Sequence, residues 1–172
     1  TVKQVVNADP NQIDLDPFFD AIDKATGDLI TTSCGFLSPF QNELEGLCDV
    51  PFISSSLRQL EHLKNIYTPS ELQIITFDAA KLGPTHLPIG CEAFNTSVFG
   101  LNSDAHLKSI IENNITHIDI SKASADICAV VRANKKKSTK GILLECTNLP
   151  PYKTDIRRIS DVPIYDILTA IE

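Results

Sequence analysis

Short apolar runs alternate with stretches of helical spacing along this chain. "LQIITF" (72–77) and "GILLE" (141–145) are nearly continuous apolar runs. A strand of that kind is buried on both faces, as in a parallel sheet. Further β-rich runs cover Val2–Val6, Asp28–Ser33, Pro51–Ser54, Ile115–Ile120 and Val162–Tyr165. Between them, Asp16–Thr26 carries Phe18, Phe19 and Ile22 on one side. Ser55–Ile66 carries Leu57, Leu60 and Leu63 at helical spacing and closes at Thr68-Pro69. Asp104–Asn113 and Ala123–Asn134 read as two more helices, and Asp166 is placed to cap a last one over "ILTAIE".

This alternation predicts an α/β fold with parallel sheets flanked by helices. Ligands in such folds bind beyond the carboxyl ends of the strands. Those ends read Thr32-Ser33-Cys34, Ser54-Ser55-Ser56, Thr76-Phe77-Asp78 and Glu145-Cys146-Thr147. They offer small hydroxyls and two thiols. Neither Gly-x-Gly-x-x-Gly nor Gly-x-x-x-x-Gly-Lys occurs, so a dinucleotide or nucleoside triphosphate site is not expected.

The two thiols stand in one repeated frame, Cys-x-x-Leu-x-Pro-aromatic. One set is Cys34, Leu37, Pro39 and Phe40; the other is Cys146, Leu149, Pro151 and Tyr152. Each cysteine ends a predicted strand and precedes a predicted helix. A helix start favours a thiolate and also a bound carboxylate. If the two halves face each other, the thiols flank one small anion. One thiolate can then take a proton from the carbon beside a carboxylate, and the opposite thiol can return one to the other face. Thr147, Ser33 and the backbone N–H groups after each cysteine are candidates to hold the carboxylate. Strand alternation points Glu145 away from the cysteine's side, where it would act on the thiol only indirectly.

Composition narrows the setting. The 172 residues suit one domain or two small lobes sharing a core. A net charge of −7 argues against non-specific nucleic-acid binding, and Lys135-Lys136-Lys137 is too short a basic run to reverse that. No apolar run has the length of a membrane span. The start "TVKQVVNADPNQ" lacks a basic segment followed by an apolar one, so no signal peptide is expected. The five cysteines include no Cys-x-x-Cys and no zinc-like spacing. Free thiols in a reducing cytoplasm, with no metal and no cofactor, are the expectation. Cys48, Cys91 and Cys128 read as structural, and none of the four histidines lies in a motif.

The segments "TTSCGFL" and "LLECTNLPPY", followed by "DVPIYDI", resemble the aspartate/glutamate racemase superfamily. More closely the chain resembles its aspartate/glutamate/hydantoin racemase-like branch. "DVPFISSSL" and "IITFDA" fit the family's next two strand ends. The resemblance implies two pseudo-symmetric α/β lobes with the site in the cleft between them. Residues 1–68 would form lobe 1, with its first strand missing or incomplete; 69–148 would form lobe 2; 149–172 would return to lobe 1. It further implies a cofactor-independent racemase or epimerase of a small carboxylate-bearing compound, with Cys34 and Cys146 as the two bases. Ser33, Gly35, Ser55, Thr76, Thr147 and Asn148 would bind substrate. Relatives of similar architecture isomerise maleate or decarboxylate aryl malonates, and a non-catalytic binding homologue is a further alternative. The resemblance leaves a homodimer open. Two departures stand out. Gly35-Phe36 follows the first cysteine, where Asn-Thr is usual in the amino-acid racemases. Asn148 follows Thr147, where His or Glu is commoner.

Overall fold

A computed structural model describes residues 5–6, 13–32 and 34–171. Two parallel sheets frame it. In the first, β1 (Ile30–Thr31) pairs with β2 (Phe52–Ile53). The second has the order β4-β3-β5-β6, formed by Val98–Gly100, Leu72–Thr76, Gly141–Leu144 and Ile164–Tyr165 respectively. Every pair in it is parallel. Helix α1 is Asp16–Asp23, α2 Gln41–Glu45, α3 Leu60–Leu63, α4 His106–Asn113, α5 Ile120–Asn134 and α6 Lys153–Arg157. Short 3-10 segments lead into several of them: Gly35–Phe40 before α2, Ser56–Gln59 before α3 and Pro150–Tyr152 before α6.

β3 and β5 hold the centre because every residue in both is buried. Each buried leucine or isoleucine there contributes about 1.5–3 kcal/mol of transfer free energy. The polar exceptions are Thr76, which ends β3, and Gln73, which donates its amide to Val131 O on α5 at 3.2 Å. Asp119 caps α5 by accepting from the Ser121 and Lys122 N–H groups. In the first sheet, buried Gln41 of α2 pins β2: its Nε2 donates to Phe52 O at 2.8 Å and its Oε1 accepts from Ser54 N–H at 2.9 Å.

Several expectations need correction. Val5 and Val6 are helical and buried, not part of a strand; residues 2–4 of that predicted run lie outside the described residues. Ile115–Ile120 is mainly the link between α4 and α5. Asn114 takes the left-handed conformation, φ 51°, and ends α4, while Ile115 N–H returns to Ile110 O at 3.0 Å. The short edge strand β4 was not expected at all. The "ILTAIE" helix is a single turn, although Asp166 does cap it, its Oδ1 accepting from Leu168 and Thr169 N–H. Within 149–172, β6 joins the second sheet beside β5, not the first. That segment touches the first part of the chain through Asp166 O, which accepts from Gln59 Nε2 at 2.8 Å. No helix among the described residues is long and apolar enough to cross a membrane.

One hydroxyl stitches the two sheets where β5 ends. Ser56 Oγ donates to Leu144 O at 2.8 Å and has Glu145 O as a second acceptor at 3.2 Å. Ser56 is 1% exposed, so no water replaces it. Ser56→Ala strips a buried acceptor of its donor and is expected to cost about 1–3 kcal/mol of stability in urea unfolding. A loss near zero would mean the stitch does not hold the sheets.

Candidate active site

The repeated frame seen in sequence is a repeated turn. Leu37 N–H donates to Cys34 O at 3.1 Å, and Leu149 N–H donates to Cys146 O at 3.0 Å. Both leucines are buried in the core. Each turn leads into a 3-10 segment carrying the prolines. The burying of each leucine therefore fixes its cysteine at the carboxyl end of a strand. Cys34 is tied further by Thr32, whose hydroxyl accepts from Cys34 N–H at 3.3 Å and donates to Ser54 O at 2.6 Å, beyond β2.

Both thiols open into one cleft of about 690 Å³. Gly35, Phe36, Thr147 and Asn148 line it beside them. Phe77 forms another wall, its ring centroid 5.8 Å from that of Phe36. Ile110, Ile111 and Ile115 approach from α4 and the turn that ends it. Of the residues expected to bind substrate, Gly35, Thr147 and Asn148 are thus brought to the cysteines. Asn148 also donates from Nδ2 to Cys146 Sγ at 3.5 Å. Ser55 and Thr76 are not among the described lining residues. Ser55 is spent on a cap, its hydroxyl accepting from Leu57 N–H, and Thr76 is fully buried at the end of β3. Ser33 lies outside the described residues.

Glu145 corrects the strand-alternation argument. β5 ends at Leu144, so alternation no longer directs the next side chain, and Glu145 lines the cleft with the thiols. Its carboxyl lies on Gly35: a methyl group at that position would come within 1.7 Å of Oε1. The residue is 1% exposed, and neither carboxyl oxygen has a hydrogen-bond partner. The Thr76 hydroxyl is near enough to favour the anion but lies outside hydrogen-bonding geometry. Burial dominates and lifts the carboxyl to about 7.

The thiols answer to burial and to that carboxyl. Burial first, then the Glu145 charge, pushes Cys34 up to about 11 against the pull of the Phe36 N–H. The same two causes push Cys146 up to about 12 against the Asn148 N–H and side chain. The expected thiolate-favouring helix starts are outweighed, because the turns after the cysteines are too short to build a macrodipole. Cys34 is also among the charges acting on Cys146. Among the described residues, no group of three or more His, Cys, Asp and Glu could hold a metal ion.

Comparison with known proteins divides along fold and sequence. Solved structures with similar folds include glutamate racemase isoform RacE1 from Bacillus anthracis, with a TM-score of 0.52 and 13% identity over 95% of this chain and 60% of that one. Another is glutamate racemase from Francisella tularensis subsp. tularensis SCHU S4 in complex with D-glutamate, with a TM-score of 0.50 and 18% identity over 88% of this chain and 56% of that one. The fold is similar to that of the glutamate racemases. Sequence relatives carry a different name. A dimethylsulfoniopropionate lyase from Durusdinium sp. clade D is 28% identical over 176 residues, spanning 90% of this chain and 55% of that protein. Dimethylsulfoniopropionate lyase 7 from Emiliania huxleyi (strain CCMP1516) is 25% identical over 154 residues, spanning 82% of this chain and 45% of that protein. The chain therefore covers about half the length of these relatives. No family model matches it.

Glu145→Gln removes a charge that opposes both thiolates, so both thiol pKa values should fall. At a fixed alkaline pH, iodoacetamide should alkylate Cys34 about threefold faster or more in the variant. Mass spectrometry of the Cys34 peptide reads this, and an unchanged rate would separate the carboxyl from the thiol.

Proposed function

We propose that this chain carries the centre of an enzyme that takes a proton from the carbon beside a carboxylate, with Cys34 and Cys146 as the proton-transfer groups. The observation that carries this reading is that both thiols line one cleft. The thiols sit beside Thr147, Asn148 and the N–H groups of two tight turns, which can hold a carboxylate while charge builds up on it. No cofactor enters the step.

The outcome we propose is elimination, because the sequence relatives covering most of the chain are named dimethylsulfoniopropionate lyases. In that reaction a cysteine thiolate takes the proton from the carbon next to the carboxylate. The freed C–H electron pair forms the carbon–carbon double bond. The bond from the next carbon to sulfur breaks with its pair staying on sulfur, which leaves as neutral dimethyl sulfide. Acrylate remains, and the cysteine is left as a thiol. Racemisation is the second reading. It begins with the same proton removal, and two thiols in one cleft give it a second proton donor that elimination does not need.

Incubation in D2O with dimethylsulfoniopropionate and, in parallel, with a panel of chiral amino acids and dicarboxylates tests both readings. Dimethyl sulfide and acrylate should appear, and Cys34→Ser or Cys146→Ser should lower the rate about 10²- to 10⁴-fold for the residue serving as base. Exchange of the α-hydrogen of a chiral carboxylate with inversion, and no sulfide, would replace elimination by racemisation. Full activity in the double variant would remove the cysteines from the chemistry.

A further inference from the structure

The charge of the cleft is one-sided. The charged residues that line it, among those described, are Glu112 and Glu145, and the lining includes no Lys, Arg or His. Glu112 lies on α4, partly exposed, with Lys108 Nζ at 3.9 Å. Glu145 has neither exposure nor a cation, and neither oxygen has a donor. A buried carboxylate in that state is costly. It is relieved either by holding a proton or by meeting a cation brought from outside.

Its position decides which ligand atoms it meets. Glu145 directly precedes Cys146, and its carboxyl packs on Gly35, directly after Cys34. A carbon held between the two thiols therefore carries its neighbouring substituent onto this carboxyl. We infer that Glu145 is a specificity-determining residue whose enclosed carboxyl, set just behind the cleft wall, attracts a positively charged onium group, sulfonium or quaternary ammonium, attached near the reacting carbon, while the turns after the cysteines take the substrate's carboxylate. This rests on the proposed reading in one respect, that the reacting carbon lies between the thiols.

Two consequences follow from charge alone. An onium group neutralises the carboxylate that opposes both thiolates, so the substrate itself promotes formation of its base. A dicarboxylate would set its second anion against Glu145 and be rejected. The sign of the pH effect is fixed as well. Only ionised Glu145 attracts the cation, so onium affinity rises as pH passes upward through about 7. The groups facing the carboxyl are Cys34 from the turn after β1, Cys146 beside it, the uncharged Thr76 at the end of β3, and Glu112 across the cleft. Behind Phe36, His86 Nδ1 accepts from Gly83 N–H, and burial keeps the ring neutral. Both thiols titrate far above this range.

The test compares 3-(trimethylammonio)propionate with its neutral-headed isostere 4,4-dimethylpentanoate by titration calorimetry on the wild-type chain and on Glu145→Gln. At about pH 8 the wild type should bind the onium acid about tenfold tighter or more, and the preference should shrink toward about pH 6. Glu145→Gln should bind the two acids about equally, with a melting temperature close to the wild type's as the sign of an intact fold. A preference retained in Glu145→Gln, a wild-type preference that does not vary with pH, or binding of neither acid would overturn the inference. If the variant fails to fold, the wild-type pH dependence decides. Onium preference without any sulfide from dimethylsulfoniopropionate would support this inference and overturn elimination.

Discussion

The site depends on one close approach: the Glu145 carboxyl resting on the bare α-carbon of Gly35. Any side chain at position 35 would occupy the place of that carboxyl. The contact joins the residue after the first cysteine to the residue before the second. It therefore brings the ends of β1 and β5, which belong to different sheets, to a common point. Ser56 secures the same junction from behind by holding the carbonyl of Leu144. A side chain fully enclosed in this way has few rotamers open to it, so the carboxyl is held in place by packing rather than by hydrogen bonds.

Electrostatics then follows from enclosure. In water a thiol beside backbone N–H groups gains acidity, but here the removal of solvent and the nearby carboxyl act in the opposite sense and are larger. Burial and the Glu145 charge therefore both favour the protonated thiols. A base can appear only when something changes the local charge, and the substrate is the part of the system that arrives. In the proposed reading, substrate binding and activation of the thiol are one event. An unoccupied cleft that held a standing thiolate would be more open to oxidation and alkylation.

The sequence was most informative where burial fixes the pattern. β3 and β5 announce themselves because both faces are covered and nearly every position is apolar. The cysteine frame was legible because its leucines must be buried for the turn to form. What escaped notice depends on long-range contacts. β4 is three residues at a sheet edge, recognisable only from its pairing with β3. Ile115 looked like the start of a strand, but the left-handed Asn114 turns it toward the cleft instead. β6 resembled a return to the first lobe until its partner strand was known. Glu145 was misdirected by alternation carried one residue too far. The clue available in the sequence was the glycine at 35, which opens a 3-10 segment without the left-handed conformation that would call for a glycine.

Gly35 also bears on the relation between the two kinds of relative. The amino-acid racemases that the sequence resembles usually carry asparagine at that position. An asparagine there and a buried Glu145 carboxyl in its present place exclude each other, because the first atom of the asparagine side chain would overlap the acid. With the glycine–glutamate pair, a neutral amide able to hold a substrate is replaced by an acid arriving from the opposite strand end. The fold is similar, and in the proposed reading the two sulfurs and the removal of a proton beside a carboxylate are shared. The charge presented to the neighbouring carbon is different. A substituent there that leaves with its bonding electrons diverts the carbanion to an alkene before a second proton can arrive, and a positively charged substituent is the one this acid attracts and the one most ready to leave. In the proposed reading, the charge beside the cleft is what favours elimination over inversion.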